Sequence, residues 1–251
     1  MITKNELQRY RSLTGFNMWQ VERDYLQHLF LILLSRHSTS ELVFKGGTAL
    51  QKAYGLDRFS IDLDFTQREK IDFSGLMDKL TAAITDFGYQ SVYEEIKTIG
   101  KAFRLKIQGP LYANTPISIS TLTVEVSQRE NILLGPKMVQ ITPVYRDLQP
   151  YTIVVMHEEE ILAEKIRAII ARNKPRDVFD LNFMLNRGVK MNIEFINKKL
   201  EYYKQGFNKK VLIENIKKKE PIWEKEMKNY IASLPDFKTI LANIEEKLKL
   251  V

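Results

Sequence analysis

The sequence Phe44-Lys-Gly-Gly-Thr-Ala-Leu50, followed after nine residues by Ser60-Ile-Asp-Leu-Asp-Phe65, decides the fold. The apolar residues before the turn predict a short strand, which runs into two glycines and then into a helix. In the second stretch apolar and polar residues alternate from Phe59 to Phe65, which predicts a half-buried strand with two aspartates on its polar face. The sequence therefore predicts a glycine turn directly before an acidic strand.

This combination indicates phosphate chemistry. Asp62 and Asp64 would project from one face of the strand, with about 6–7 Å between their Cα atoms, and acids so placed can bridge a pair of Mg²⁺ ions. Gly46 and Gly47 let backbone N–H groups approach a phosphate, and Thr48 adds a hydroxyl at a helix N-terminus, where anions are favoured. Either motif alone is common on solvated strands and in ordinary turns. Together they predict a site for phosphoryl or nucleotidyl transfer.

A third carboxylate is expected from another strand, because two-metal sites usually need one. Glu125 is the candidate, since Leu122, Val124 and Val126 take the opposite, apolar face of its strand. A solvated glutamate on an amphipathic strand would give the same pattern. Arg129 either reaches a phosphate or lies on the surface.

The composition restricts the metal and the compartment. The chain has 251 residues, no cysteine and three histidines. Thiolate sites and histidine-rich sites are therefore excluded, so a catalytic metal depends on carboxylates, which favour Mg²⁺ or Mn²⁺. The lack of cysteine, of an N-terminal apolar segment and of any long apolar run predicts a soluble, cytoplasmic protein with no membrane partner.

The remaining pattern predicts a mixed α/β (α+β) fold. A helix is expected from Asn17 to Arg36 and another around Phe73 to Phe87. Alternating runs predict an antiparallel continuation of the sheet, over the ranges 91–96, 102–107, 117–127, 139–144 and 152–155. From His157 onward the pattern is helical, so we expect a catalytic domain over 1–155 and a helical domain over 156–251.

The helical part contains two further candidates. Lys165 falls inside the apolar stripe of the helix that starts at His157, so it either snorkels to solvent or points into a pocket with an anionic partner. Asp177 opens the next helix and either stabilises the helix dipole or belongs to the site.

A lysine-rich window, Lys198 to Lys219, holds eight lysines against Glu201 and Glu214, with Tyr202, Tyr203 and Phe207 interleaved. Basic residues with aromatic neighbours are compatible with a phosphate-rich partner such as RNA. A solvated face on ordinary helices would give the same composition.

Two blocks together resemble the AbiEii/AbiGii abortive-infection toxin family of nucleotidyltransferases, in the DNA polymerase β-like superfamily. The first runs from Phe44 to Gly55 and continues as Arg58-Phe-Ser-Ile-Asp-Leu-Asp-Phe65. The second is Ile161-Leu-Ala-Glu-Lys-Ile-Arg-Ala168, followed by Arg176-Asp-Val-Phe-Asp-Leu181.

The resemblance implies a nucleotidyltransferase-fold mixed sheet with flanking helices and a C-terminal helical domain. Asp62, Asp64 and Glu125 would bind metal and, with Lys165 and Asp177, form the catalytic set. The candidate nucleotide-binding residues are Lys45, Gly46, Gly47, Thr48, Arg58, Ser60, Arg129 and Lys165.

By the same resemblance the chain would transfer NMP from an NTP to an acceptor hydroxyl, with Mg²⁺ or Mn²⁺ as cofactor. The acceptor would be RNA, at the 3′ end of tRNA, and a cognate antitoxin would be a partner. Two alternatives stay open at this point. One keeps the chemistry but modifies a protein or a small molecule, and the other is a non-catalytic nucleic-acid-binding module whose acidic face is merely solvated.

Overall fold

A computed structural model describes residues 1–38, 40–98, 100–201 and 203–249, and the chain divides into two compact units. The sheet unit consists of Met1–Gly55, Phe59–Asn131 and Pro136–Val155. The helical unit consists of Leu56–Arg58, Ile132–Gly135 and Met156–Val251. Two short segments that precede residue 156 thus belong to the helical unit, and the functional division into 1–155 and 156–251 stays a prediction.

Among the residues described for the sheet unit there are four α-helices: α1 (Lys4–Thr14), α2 (Met18–His37), α3 (Gly46–Tyr54) and α4 (Phe73–Phe87). The first two begin with capping boxes, in which Thr3 pairs with Glu6 and Asn17 pairs with Gln20. Each box satisfies backbone N–H groups that the first helical turn leaves without partners. The predicted helix over Asn17 to Arg36 is confirmed, with Asn17 as its cap.

Within the described ranges, seven strands form one sheet: β1 (Leu42–Lys45), β2 (Leu63–Gln67), β3 (Ser91–Lys97), β4 (Lys101–Ile107), β5 (Ser120–Ser127), β6 (Lys137–Ile141) and β7 (Tyr151–Val155). Their order is β3-β4-β5-β2-β1-β7-β6. The mixed α/β class with flanking helices is therefore confirmed.

The expected antiparallel continuation is only partly right. The neighbours β3/β4, β4/β5, β6/β7 and β1/β2 are antiparallel, but β2 pairs in parallel with β5 and β1 pairs in parallel with β7. A parallel pair needs a long crossover, and α4 with the β3–β4 hairpin supplies one between β2 and β5. The alternation pattern reports which faces are buried and does not report strand direction.

The acidic strand is shorter than predicted, because residues 59–62 are irregular and β2 begins at Leu63. The carbonyls of Ser60 and Ile61 accept hydrogen bonds from the side chain of Gln27, at 3.0 and 2.8 Å. These backbone carbonyls therefore bind a side chain instead of the backbone of a neighbouring strand. Similarly, the strand predicted from residue 117 begins at Ser120, after the 3₁₀ turn Pro116–Ser118. The strand predicted over residues 139–144 is β6, which ends at Ile141.

The core of the sheet unit lies between the sheet and α2 with α4. Helix α2 packs on α4, β5 and β7, and it is buried over most of its length. Leu122, Val124 and Val126 of β5 are buried, whereas Glu125 between them is exposed. One face of β5 therefore packs in the core, and the opposite face carries the polar residues.

The part of the helical unit that the structure describes contains six α-helices: α5 (Glu158–Ala171), α6 (Pro175–Asn186), α7 (Ile193–Glu201), α8 (Lys209–Lys217), α9 (Trp223–Met227) and α10 (Phe237–Lys249). Helix α5 packs on α6, α7 and α8. No strand occurs in the described residues after Val155, as predicted. A search of the described helices for one that could span a membrane found none.

Candidate active site

The turn between β1 and α3 brings a glycine against an acidic side chain. Gly46 has a φ of +76°, a conformation that favours glycine. A Cβ atom added at Gly46 would collide with the carboxylate of Asp64. The glycine is therefore needed both for its backbone conformation and for the close approach of Asp64 to the start of α3.

Replacing Gly46 by alanine is expected to reduce activity by about 100-fold, the loss typical of a displacement of about 1 Å in a reacting group. The added methyl group must push the Asp64 carboxylate away from α3. Gly55, at the other end of α3, provides a matched control, because its φ is +77° and a Cβ there would meet nothing within 4 Å. Gly55→Ala therefore carries only the backbone strain, about 1–2 kcal/mol. Steady-state kinetics and thermal unfolding of both variants measure the difference, and equal activities would contradict the assignment.

Asp64 and Glu125 are neighbours on one face of the sheet. In the register of β2 with β5, Asp64 pairs with Glu125, and in that of β1 with β2, Lys45 pairs with Asp64. Adjacent strands lie about 4.8 Å apart, so paired residues point to the same side. Asp62 lies one residue before β2, outside the ladder.

The donor chemistry fits a divalent cation such as Mg²⁺, because all three candidate ligands are carboxylates. A ready-made metal centre is not present, since no group of three or more acidic or histidine side chains in the described ranges has a metal-holding arrangement. The pair Asp64 and Glu125 is thus set by the sheet, whereas the place of Asp62 is set by the segment before β2.

Buried side chains hold that segment. The hydroxyl of Thr48, which has no exposed surface, donates to the carbonyl of Asp62. The backbone N–H of Ser60 donates to Gln51 at 2.9 Å, and the amide of Gln27 donates to the two carbonyls noted above. In this structure Thr48 therefore supports the backbone of Asp62 rather than presenting its hydroxyl to solvent.

A buried network of charged and polar side chains holds Gln51 in place. Asp24 of α2 accepts from Lys52 at 2.8 Å, from Gln51 at 3.1 Å and from Tyr145 at 2.9 Å. Burial alone would raise the pKa of Asp24, but Lys52 holds that pKa below its usual value. Asp24 thus orients Gln51, which in turn binds Ser60.

Sequence reasoning missed this network. Its signal is the set of polar residues at buried positions of α2, where an apolar stripe is expected: Gln20, Glu22, Asp24, Gln27 and His28. Buried polar groups are normally hydrogen-bonded, so such a set indicates a polar network in the core.

The helical unit contains a second charged cluster. Arg58 binds Asp180 with two hydrogen bonds, Nε to Oδ1 at 2.6 Å and an Nη to Oδ2 at 2.7 Å. Lys165 Nζ lies 2.5 Å from Asp180 Oδ2 and 3.0 Å from Asp177 Oδ1. Arg172 closes the chain with two hydrogen bonds to Asp177, at 2.8 and 2.9 Å. Three cations thus surround two carboxylates.

The electrostatics of this cluster follow from burial and pairing. Burial would raise the pKa of Asp177, but Lys165 and then Arg172 hold it well below its usual value. The pKa of Asp180 is also lowered, because Arg58 and Lys165 outweigh the effect of burial. Of the two alternatives for Lys165, the one with an anionic partner is therefore found.

The predicted site residues fall in both units. The sheet unit holds Lys45, Gly46, Gly47, Thr48, Ser60, Asp62, Asp64, Glu125 and Arg129, and the helical unit holds Arg58, Lys165 and Asp177. Arg129 is exposed, whereas Lys45 is buried with its Nζ 3.7 Å from Glu130 Oε2. The sequence predicts no role for Asp180, although its carboxylate binds both Arg58 and Lys165.

The lysine-rich window is less basic at its surface than its composition indicates. Lys199 is buried, with Nζ 2.7 Å from Glu160 and 3.1 Å from Glu164. Lys219 is buried and donates to the carbonyls of Ile169 and Asn215. Exposed lysines are Lys198, Lys204, Lys209, Lys210, Lys217 and Lys218. Tyr202 lies outside the described residues.

A sequence comparison decides the family. The family described as "Nucleotidyl transferase AbiEii toxin, Type IV TA system" matches residues 32–243 of the chain. The chain belongs to the AbiEii family. As a member it is a nucleotidyltransferase of the type IV toxin–antitoxin class, and the matched range includes all of the site residues predicted above.

Solved structures support the AbiEii fold. MenT4, a nucleotidyltransferase toxin from Mycobacterium tuberculosis H37Rv, is similar with a TM-score of 0.71 and 18% identity, over 98% of this chain and 88% of that one. JHP933 from Helicobacter pylori is similar with a TM-score of 0.65 and 19% identity, over 94% of this chain and 92% of that one. No curated protein matches the sequence at a significant level.

Proposed function

We propose that this AbiEii protein transfers NMP from an NTP to a hydroxyl group of RNA, at the 3′ end of tRNA. The acceptor oxygen would form a bond to the α-phosphorus, the bond from that phosphorus to pyrophosphate would break, and the hydroxyl proton would leave. The observation that supports this most directly is the close approach of Asp64 to Gly46, because it sets an acidic strand beside a helix N-terminus.

We assign the metal to Asp64 and Glu125, which are paired in the sheet, and to Asp62, whose carboxylate would join them when the ion binds, because no ready-made group of three is found in the described residues. A bound Mg²⁺ or Mn²⁺ ion would offset phosphate charge and lower the pKa of the attacking hydroxyl. Gly46 and Gly47 would offer backbone N–H groups to the triphosphate. Lys45 directly before them, Ser60 in the segment before β2 and Arg129 after β5 are the further proposed nucleotide contacts. Thr48 would act by holding the backbone of Asp62.

Within the helical unit we propose that Lys165, Asp177 and Arg58 take part in catalysis and nucleotide binding. The support is their shared cluster of ion pairs, in which Asp177 and Asp180 hold the cations of Arg58 and Lys165 in place. Positively charged side chains that are fixed in this way are suited to bind phosphate.

RNA as acceptor is supported by the six exposed lysines of the window between Lys198 and Lys219. The nucleotide and tRNA substrates point to the cytoplasm as the place of action. A cognate antitoxin is the expected protein partner, since the family belongs to toxin–antitoxin systems.

The acceptor is tested by incubating the protein with each α-³²P-labelled NTP, Mg²⁺ and total RNA, in parallel with cell protein and with a metabolite extract. Label is expected in the tRNA band, and it should be lost when EDTA is present. Label on protein or on a small molecule would replace tRNA as acceptor. The absence of transfer in every mixture would overturn the proposed reaction and favour a non-catalytic binding module.

A further inference from the structure

Arg23 is a cation near the site that no part of the proposed function uses. It lies on α2, before the range matched by the family, and its guanidinium carbon stands 5.7 Å from the ring centre of Trp19. Trp19 packs edge-on against Phe59, with ring centres 5.3 Å apart and planes at 89°. Phe59 is fully buried, three residues before Asp62, so the platform under Arg23 is fixed beside the catalytic segment.

Arg23 lacks the contacts that a half-buried arginine normally makes. Its Nε is buried without a hydrogen-bond partner, and no ion pair or hydrogen bond of the guanidinium is found within the described residues. A buried donor without a partner costs about 1–3 kcal/mol. Such a group is therefore expected to have a polar partner, either a bound water or a ligand.

Two carboxylates act on Arg23, but neither forms an ion pair with it in the described residues. Burial lowers the pKa of Arg23, and the carboxylates of Asp62 and, more weakly, Glu22 oppose that effect. Glu22 already accepts from the backbone N–H of Leu111 at 2.6 Å. Asp62 therefore attracts the guanidinium without pairing with it, so the donors of Arg23 stay available next to a metal-binding carboxylate.

We propose that Arg23 binds a phosphate group of the incoming nucleotide, with Trp19 as the platform that holds the guanidinium in place. The proposal rests on the proposed function, because a nucleotide must bind at Asp62. A guanidinium presents a planar set of donors that matches two phosphate oxygens, and stacking on an indole limits its motion before the ligand arrives. Phosphate oxygens would accept hydrogen bonds from the terminal nitrogens of the guanidinium, which have no acceptor among the described residues.

Isothermal titration with each of the four NTPs and with inorganic tripolyphosphate, in the presence of Mg²⁺, tests this role on the full chain. Arg23→Gln is expected to weaken binding of the preferred NTP and of tripolyphosphate by about 10- to 100-fold, the loss of a charge-assisted hydrogen bond. Arg23→Lys keeps the charge without the planar donors, so its affinity should lie between those of the wild type and of Arg23→Gln. Arg36→Gln, on the same helix at an exposed position, is the matched control and should bind as the wild type does.

The outcomes separate the two proposals. If the wild type binds an NTP and Arg23→Gln binds it equally well, the role of Arg23 is wrong and the proposed function stands. If Arg23→Gln only tightens Mg²⁺ binding, Arg23 serves to neutralise Asp62 and the phosphate role is overturned. If the wild type binds neither an NTP nor tripolyphosphate, both proposals fail. Thermal unfolding of Arg23→Gln should change little, since the only protein contact it is known to lose among the described residues is the one with the Trp19 ring.

Discussion

Replacing Asp180 by alanine is expected to lower the free energy of unfolding by about 3–5 kcal/mol, the usual cost of removing one partner from a buried ion pair. Asp180 is fully buried, and it binds Arg58 with two hydrogen bonds and Lys165 at 2.5 Å. Without it, Arg58 and Lys165 stay buried with one carboxylate fewer between them. Denaturant titration followed by circular dichroism measures the loss.

Glu214 provides the control for Asp180, because it is an exposed acid on α8 of the same unit. Glu214→Ala should change the stability by less than about 0.5 kcal/mol. The double variant Arg58→Met with Asp180→Leu removes both charges, so it should recover part of the loss. If Asp180→Ala and Glu214→Ala unfold at the same denaturant concentration, the cluster contributes nothing to stability.

Asp62→Asn is expected to reduce the rate of nucleotidyl transfer by more than about 100-fold. Removing a group that only hydrogen-bonds to a metal ligand costs about 10- to 100-fold, and removing a ligand itself should cost more. The amide keeps the size of the side chain but loses the charge that a divalent cation requires. Because the carbonyl of Asp62 rather than its side chain accepts from Thr48, the fold should be retained. Transfer of label from the preferred NTP, with thermal unfolding alongside, measures both effects.

Asp57→Asn is the matched control for Asp62, since Asp57 is an exposed aspartate five residues earlier in the chain. Its activity should equal that of the wild type. Asp64→Asn should reproduce the loss seen for Asp62→Asn, because both acids are assigned to the metal. Activity of Asp62→Asn within about tenfold of the wild type would remove Asp62 from the metal site, since one charge-assisted contact is already worth that much.

Local pattern was sufficient to predict the order strand, glycine turn, helix and acidic strand, because each element has its own period and turn chemistry. The same pattern predicted Glu125 on the polar face of its strand. The pairing of Asp64 with Glu125 could not be predicted in this way, since it depends on a parallel register between strands distant in the sequence.

Partners that come from distant parts of the chain explain the remaining differences. The window around Lys199 and Lys219 is basic in composition, yet both lysines serve as buried donors inside the helical unit. The place of Arg58 has the same cause, because the sequence sets it beside the acidic strand whereas its partner Asp180 lies on α6. The composition gives the number of charged residues, whereas the tertiary fold determines which of them are exposed to solvent.

The parallel pairs have a consequence for synthesis on the ribosome. Strand β1 carries Lys45 into the glycine turn, yet one of its edges is covered only by β7, where Phe44 pairs with Val155. One edge of β2 likewise stays unpaired until β5 has been synthesised. A nascent chain of high contact order stays without its central sheet until these late strands emerge. Fragments that end before β5 therefore lack the pairing of Asp64 with Glu125, and the sheet around β1 is complete only once Val155 has left the ribosome.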